Sequence, residues 1–367
     1  MKKLLTVTLA FVFAMTPLAC LAQEYTAISD LAANPPARWT QTYVTKWRTV
    51  TVDALPAVPK AESMPILKVV PDLRKPDVSA LPGWTSDLNS RGTFSASIGN
   101  QDQAVHDLAD EGVTTTTNYY MPSDMAAVYS KNNPHLLGDV IGYAQSAMAS
   151  MGENPDQWDY AHPTRVFVNT TVGHESDEPL LPDTYCVTFN QKLCGIPLLT
   201  HVLEGINTPR EDEMWMRTDM AFDYFSPECM RLIGKQAKIT EVLSADVPLC
   251  GFDKVRAAVE EEIYAGHIRK IFDVELGYAL YNEPGKSRTV RYPEFPGAVF
   301  YAVPVWRITC FYVENPRDEL RDYTGTDVPE RGTMEYKPLL VNAQTGTVID
   351  RSDNRKGCGD YQGFISW

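Results

Sequence analysis

The sequence lacks the signatures that most often announce chemistry. No Gly-x-Ser-x-Gly elbow occurs, so an α/β-hydrolase nucleophile has no support. No glycine-rich phosphate cradle or dinucleotide fingerprint occurs, and no Cys-x-x-Cys, which removes the thioredoxin-like redox site and the zinc ribbon. Histidine is scarce: His106, His135, His162, His174, His201 and His267 are the six. A thermolysin-like zinc helix needs two histidines four apart, whereas His174-Glu175 is followed by Glu178 where the second must stand, so this reads as an acidic loop. His162 and His174 read as scattered surface residues. Positive charge is also short, 33 Lys+Arg against 47 Asp+Glu for a net charge of −14. That field repels phosphate backbones and anionic lipid, so nucleic acid is not an expected partner. Beyond the N-terminus no apolar run approaches the length of a membrane span, so no transmembrane helix is expected in the mature chain.

What is present begins with a secretory signal over residues 1–22. Lys2 and Lys3 form its basic start, and Leu4 to Met15 an apolar stretch broken only by Thr6 and Thr8. Two processing routes compete at Pro17-Leu18-Ala19-Cys20-Leu21-Ala22: cleavage after Ala22, or acylation of Cys20 as a lipoprotein anchor. Either places the protein outside the cytoplasm, secreted or lipid-anchored to the outer face of the cytoplasmic membrane. Cys186, Cys194, Cys229, Cys250, Cys310 and Cys358 then remain, an even number in an exported chain, and at least one disulfide is expected with its connectivity open.

With 367 residues, 44% of them hydrophobic, the chain has material for two or three cores. Residues 23–130 form an extended N-terminal region studded with proline, in which Thr49 to Ala54 and Met64 to Val70 are the clearest strands. Residues 91–130, rich in Ser, Thr, Asn and Asp, read as irregular connection. From Asn133-Pro134 the pattern changes. Leu137, Ile141, Ala144, Met148 and Met151 fall on one helix face that Gly152 is placed to stop. Alternation then marks strands over Val166 to Val172, Tyr185 to Leu193, Met220 to Phe225 and Cys229 to Ile233. A second helix opens at Asp253 with Val255, Val259 and Ile263 on one face. Strands follow over Phe272 to Leu280, Val299 to Val313 (where Pro304 suggests an edge or bulge) and Leu339 to Asn342.

The same order of helix and strands therefore recurs. Tyr185 to Phe300 and Cys194 to Cys310 are 115 and 116 residues apart, Pro134 to Asp253 is 119, and Val166 to Ile271 departs from these at 105. The expected fold class is α+β with two tandem units, over 131–245 and 246–367, each one helix packed on a three- to four-stranded antiparallel sheet.

The helix at Phe252-Asp253, the strand Tyr301-Ala302-Val303-Pro304-Val305-Trp306 and the ending Leu340 to Asp350 resemble the PepSY-type unit. They are also similar to the extracytoplasmic domains of the YycH and YycI accessory regulators of Gram-positive bacteria. Gly195-Ile196-Pro197 looks like the turn common in PepSY-like chains, and the N-terminal segment is reminiscent of exported clostridial proteins of unassigned function. The resemblance implies a non-enzymatic domain that binds or regulates another protein and carries over no catalytic residue.

The remaining constellations point the same way. Glu211-Asp212-Glu213 and Glu260-Glu261-Glu262 are paired carboxylates without a glycosidase's placement, and the second group reads as a solvated helix face. Asp350-Arg351-Ser352-Asp353-Asn354 lacks the glycine and distal glutamate of an EF-hand. Tyr119-Tyr120-Met121 and Trp215-Met216 are aromatic clusters that pack over a sheet or line a groove for a peptide or glycan. No catalytic, cofactor-binding or metal-ligating residue is assigned. The expectation is an exported, non-catalytic binding or regulatory protein of the cell envelope with a protein or peptide partner. The alternative is an exported metal-dependent or acid/base hydrolase, which requires at least two of His162, His174 and His201 to converge with a carboxylate.

Overall fold

The computed structural model describes residues 25–88, 93–99, 115–121, 137–170, 184–199, 219–226, 228–282, 299–312 and 336–349. The expected signal segment and Cys20, the candidate lipid anchor, lie outside them. The chain opens with β1 (Tyr25–Thr26), α1 (Ile28–Ala33), β2 (Trp39–Val44), β3 (Thr49–Ala54) and β4 (Ile66–Asp72). Next come β5 (Thr85–Leu88), β6 (Phe94–Ile98), β7 (Thr115–Met121), α2 (Leu137–Ser150), β8 (Trp158–Thr170), β9 (Thr184–Leu193) and β10 (Ile196–Pro197). They are followed by β11 (Asp219–Ser226), β12 (Cys229–Gly234), β13 (Gln236–Ser244), β14 (Leu249–Cys250) and α3 (Phe252–Ala265). The last described elements are β15 (Ile268–Asn282), β16 (Phe300–Tyr312), β17 (Tyr336–Asn342) and β18 (Val348–Ile349).

These strands build two large antiparallel sheets and two small ones. The eight-stranded sheet runs β5-β6-β12-β11-β9-β8-β7, with β10 folded back on β9. The six-stranded sheet runs β13-β4-β16-β17-β18, with β15 along the other side of β16. The hairpin β2-β3 and the pair β1-β14 stand apart from them.

This overturns the expected pair of tandem helix-on-sheet units. The described chain is mostly strand, and the sheets are not made from successive stretches of sequence. β4, from the N-terminal region, lies between β13 and β16, while β5, β6 and β7 complete the other sheet. β13 belongs by sequence to the first expected unit but hydrogen-bonds in the six-stranded sheet. The physical reason is that alternation fixes which face of a strand is buried and says nothing of which strand lies beside it. The stretch read as irregular connection holds β6, whose Phe94 and Ala96 are buried, and β7.

Each large sheet has its own helix and core. Val140, Ala144, Ala147, Met148 and Met151 of α2 pack with Phe94, Val187, Phe189, Phe222 and Leu232 of the eight-stranded sheet. Gly152, at φ +80°, ends that helix, and the Glu153 N–H closes on Met148 O at 3.0 Å. The spacing of four and three in the sequence thus reports a real buried face. On the six-stranded sheet Val255, Val259 and Ile263 of α3 pack with Val274, Leu276, Trp306 and Ile308, together with α1 and the inner face of β2-β3. The rings of Trp39, Phe252 and Trp306 adjoin in series, 6.3 Å and 5.0 Å between centroids.

Three details join the sheets. Cys194 (φ +52°) and Gly195 (φ +80°) make the two-residue turn between β9 and β10, and Leu193, Ile196 and Leu198 enter the core of the six-stranded sheet. This segment passes so close to β15 that a Cβ on Gly277 would stand 2.5 Å from the Pro197 carbonyl oxygen. The buried Gln191 amide also imitates a backbone pair: its Nε2 donates to Ala237 O at 2.9 Å, and its Oε1 accepts from Ala237 N at 2.7 Å. Pro304 lies in a central strand rather than at an edge or bulge. It falls where the pairing of Phe300–Ala302 with β4 has ended and that of Val305–Phe311 with β17 has yet to begin, so no ladder bond needs its missing N–H on that side.

Candidate functional site

Two features compete as candidate sites: a polar cluster at the end of α3, and the edges of the sheets. The cluster follows from how α3 stops. Gly266 at φ +94° ends the helix in a left-handed cap, with Gly266 N–H bonded to Ile263 O and His267 N–H bonded to Glu262 O, each at 3.0 Å. That double closure folds the chain back so that His267 lies against the last turn. His267 Nδ1 and Glu262 Oε2 are 2.6 Å apart, and the Tyr312 hydroxyl donates to the same carboxylate oxygen at 3.2 Å. Trp47, from the β2-β3 turn, lies over Gly266, where a Cβ would come within 2.4 Å of its ring.

Two residues before Glu262, Glu260 Oε1 accepts from the Tyr43 hydroxyl at 2.7 Å, and that hydroxyl accepts from the Trp39 indole at 3.0 Å. Burial, and then the Glu260 bond, hold the Tyr43 phenol well above its ordinary pKa. Glu260 and Glu262, expected on a solvated face, are therefore half-buried ties from α3 to β2 and to β16. The sequence signal was available: a carboxylate and a histidine five apart across a helix-ending glycine. A third tie crosses the six-stranded sheet, where nearly fully buried Arg307 donates through Nε to Glu275 Oε2 at 3.0 Å and through Nη2 to the same oxygen.

The histidines required by the hydrolase alternative are not brought together among the described residues. His162 lies in β8, with its side chain outside the description, and His106, His135, His174 and His201 lie outside the described residues altogether. So do Glu211-Asp212-Glu213, Trp215-Met216 and the Asp350 to Asn354 turn. No group of three or more His, Cys, Asp or Glu suited to a metal ion occurs among the described residues. Cys194, Cys229, Cys250 and Cys310 carry free thiols, and the side chains of the other two, Cys186 and Cys358, lie outside the description. Burial pushes the Cys310 thiol up to about 12.

The sheet edges differ from one another. The outer side of β15 is closed by neighbouring loops: Ala57 N–H bonds Val274 O, Leu276 N–H bonds Ala57 O, and Leu199 N–H bonds Tyr278 O, at 2.8, 2.9 and 2.7 Å. β13 is broken by two register shifts, between Ile239 and Glu241 and between Val242 and Ser244, and carries Lys238 and Glu241. β18 has two residues, and β5 has four with Asp87 among them. β7 is the exception. It pairs with β8 without a shift from Thr115↔Thr170 to Met121↔Thr164, its sequence TTTNYYM has no charge and no proline, and no described residue pairs with its outer side. The Tyr119-Tyr120-Met121 cluster is the end of this strand.

The fold has a solved counterpart. An uncharacterized protein from Eubacterium rectale ATCC 33656, known from a crystal structure at 1.45 Å resolution, matches with a TM-score of 0.50 at 12% identity. The match covers 85% of this chain and 93% of that one. At that identity the likeness is one of fold. No family model matches the sequence, and neither does any curated protein.

Proposed function

We propose that this is an exported, non-catalytic protein of the cell envelope that binds or regulates a protein or peptide partner by taking an extended segment onto the open edge of β7. The observation that carries the reading is the contrast among the edges. Edges of the two large sheets are shortened, bulged, charged or covered by loops, as sheets avoiding stray pairing are, and β7 alone among the described strands at those edges is long, regular and uncharged. Strand addition supplies affinity through main-chain bonds and needs no catalytic group. Glu260, Glu262 and Glu275 support the same reading, since each is occupied in tying elements together. The Glu262–His267 pair is the feature that speaks for an acid/base alternative, but its carboxylate is shared with Tyr312 in a helix-ending tie. A regulatory role is also what the PepSY-type resemblance implies.

Two neighbouring substitutions test this. Adjacent residues of a strand send their N–H groups to opposite sides. Of Thr117→Pro and Asn118→Pro, therefore, one breaks the ladder to β8 and the other removes only an outward donor. The variant that melts like the parent protein is expected to lose the partner recovered from cell-envelope extract by the parent. Recovery of the same partner by that variant, or of none by the parent, counts against edge capture.

A further inference from the structure

We propose that the turn between β2 and β3 is a binding site for a small oxyanion, a phosphate or carboxylate group, held by Arg48 and Lys46. The site is independent of the β7 edge. Arg48 stands apart from the other arginines whose contacts are described. Arg38 reaches Asp53, Arg74 reaches Asp72, Arg256 reaches Asp253 and Glu260, and Arg307 reaches Glu275. Arg48 is half-buried, and its guanidinium has no partner among the described residues. Withdrawing a charge from water without pairing it is costly, and here it happens in a chain with 47 acidic residues against 33 Lys and Arg. Residues 39–52, which make up the hairpin around it, contain no acid. Burial alone acts on the Arg48 guanidinium and pulls its pKa below the ordinary value, whereas Asp53 and Asp72 raise those of Arg38 and Arg74.

The turn holds this cation in place. Thr45 Oγ1 donates to Arg48 O at 2.8 Å and accepts from the Trp47 and Arg48 N–H groups at 3.1 and 3.0 Å. Trp47 is wedged against Gly266, and Lys46 Nζ stands 4.7 Å from the centre of its ring. Arg48 Nε is shut off from solvent without a partner, and the two Nη groups are not. Those two form the edge of a guanidinium that takes a pair of carboxylate or phosphate oxygens side by side. The Cα atoms of Lys46 and Arg48 are at most about 7 Å apart, so an oxyanion on that edge lies within reach of the exposed Lys46 ammonium. Glu262, the acid of this corner, is already taken by His267 and Tyr312. A purely structural Arg48 would serve the negative C-terminal end of α3. The Glu262 and Ile263 carbonyls there are already bonded by the His267 and Gly266 N–H groups, and the Arg48 guanidinium donates to neither.

Titrating the full chain with inorganic phosphate and with acetate, in Tris chloride at constant ionic strength, tests this through tryptophan fluorescence and melting temperature. A saturable change is expected, with a rise in melting temperature on binding, and whichever anion binds more tightly names the group the site takes. Arg48→Gln is expected to weaken that binding about tenfold or more, while Arg38→Gln, whose parent side chain is engaged by Asp53, leaves it unchanged. Without the anion Arg48→Gln is expected to melt no lower than the parent, since it removes an unpaired charge from a half-buried place. Should Arg48→Gln fail to fold, Lys46→Gln carries the test: it alters an exposed side chain and is expected to weaken binding about threefold at an unchanged melting temperature. A response no different from that to added chloride overturns the proposal. So does parent-like affinity in Arg48→Gln or, where that variant does not fold, in Lys46→Gln.

Discussion

The six-stranded sheet and the eight-stranded sheet solve the same packing problem with different materials. Under α3, aromatic rings meet edge-on or tilted from β2 through the helix into β16, and acids on the same helix reach out to Tyr43, His267 and Tyr312. Under α2 the buried face is Val140, Ala144, Ala147, Met148 and Met151, small or flexible side chains packed on Phe94, Val187, Phe189, Phe222 and Leu232. The edges of the first sheet are covered, bulged or short, whereas no described residue pairs with the outer side of β7 in the second. Polar and aromatic ties are thus concentrated in the six-stranded sheet, and the edge proposed above to take a partner belongs to the sheet with the simpler core.

Breaking the rigid side should have the largest effect. Trp306 is fully buried and packed on Phe252, so Trp306→Ala is expected to cost about 3–5 kcal/mol in urea unfolding. If the loss is no larger than for a surface substitution, the weight given to the α3 core is misplaced.

Gln191→Leu sharpens the comparison by attacking what couples the sheets. It would leave the Ala237 N–H and C=O without their partners, and about 2–3 kcal/mol is expected from two buried groups so stranded. The expected calorimetric signature is one unfolding transition becoming two, with the eight-stranded sheet melting first. A single unbroken transition at the parent temperature would mean that the β9-β10 hairpin alone holds the sheets together.

The smallest effect concerns the thiols. A thiol held neutral by burial keeps its proton where the unfolded chain has lost it, so its stabilising contribution is whole below the unfolded value near pH 9 and declines as pH rises toward about 12. Urea midpoints should fall over that range, and less steeply in Cys310→Ala. At pH 8 a disulfide reagent should modify exposed Cys194 quickly and Cys310 only on unfolding. Equal rates would place Cys310 outside the closed core.

Much of the element structure was legible in the sequence because it depends on neighbours along the chain. The α2 and α3 faces, the strands around Val187 and Val274, and the Asn342 turn all follow from spacing and local capping. In that turn Asn342 Oδ1 accepts from the Gln344 and Thr345 N–H groups. What the sequence concealed depends on partners far away. Phe94 and Ala96 sit in a polar stretch and are buried because pairing with β12 sets them in the core under α2. β13 follows β12 after a single residue, Lys235, yet joins the other sheet. Similar spacings between two segments therefore did not mean separable units. The candidate edge was the least legible part, because an open edge is defined by the strands that fail to cover it.

The seam at Pro304 has a consequence for synthesis. One side of β16 is lined by β4 and then by β17, so residues near 67 and near 340 lie end to end against the same strand. A nascent chain emerging from the ribosome cannot complete this sheet until nearly its whole length has been made. Closure of the six-stranded sheet is therefore postponed to the end of translation, and β16 stays short of a neighbour until then.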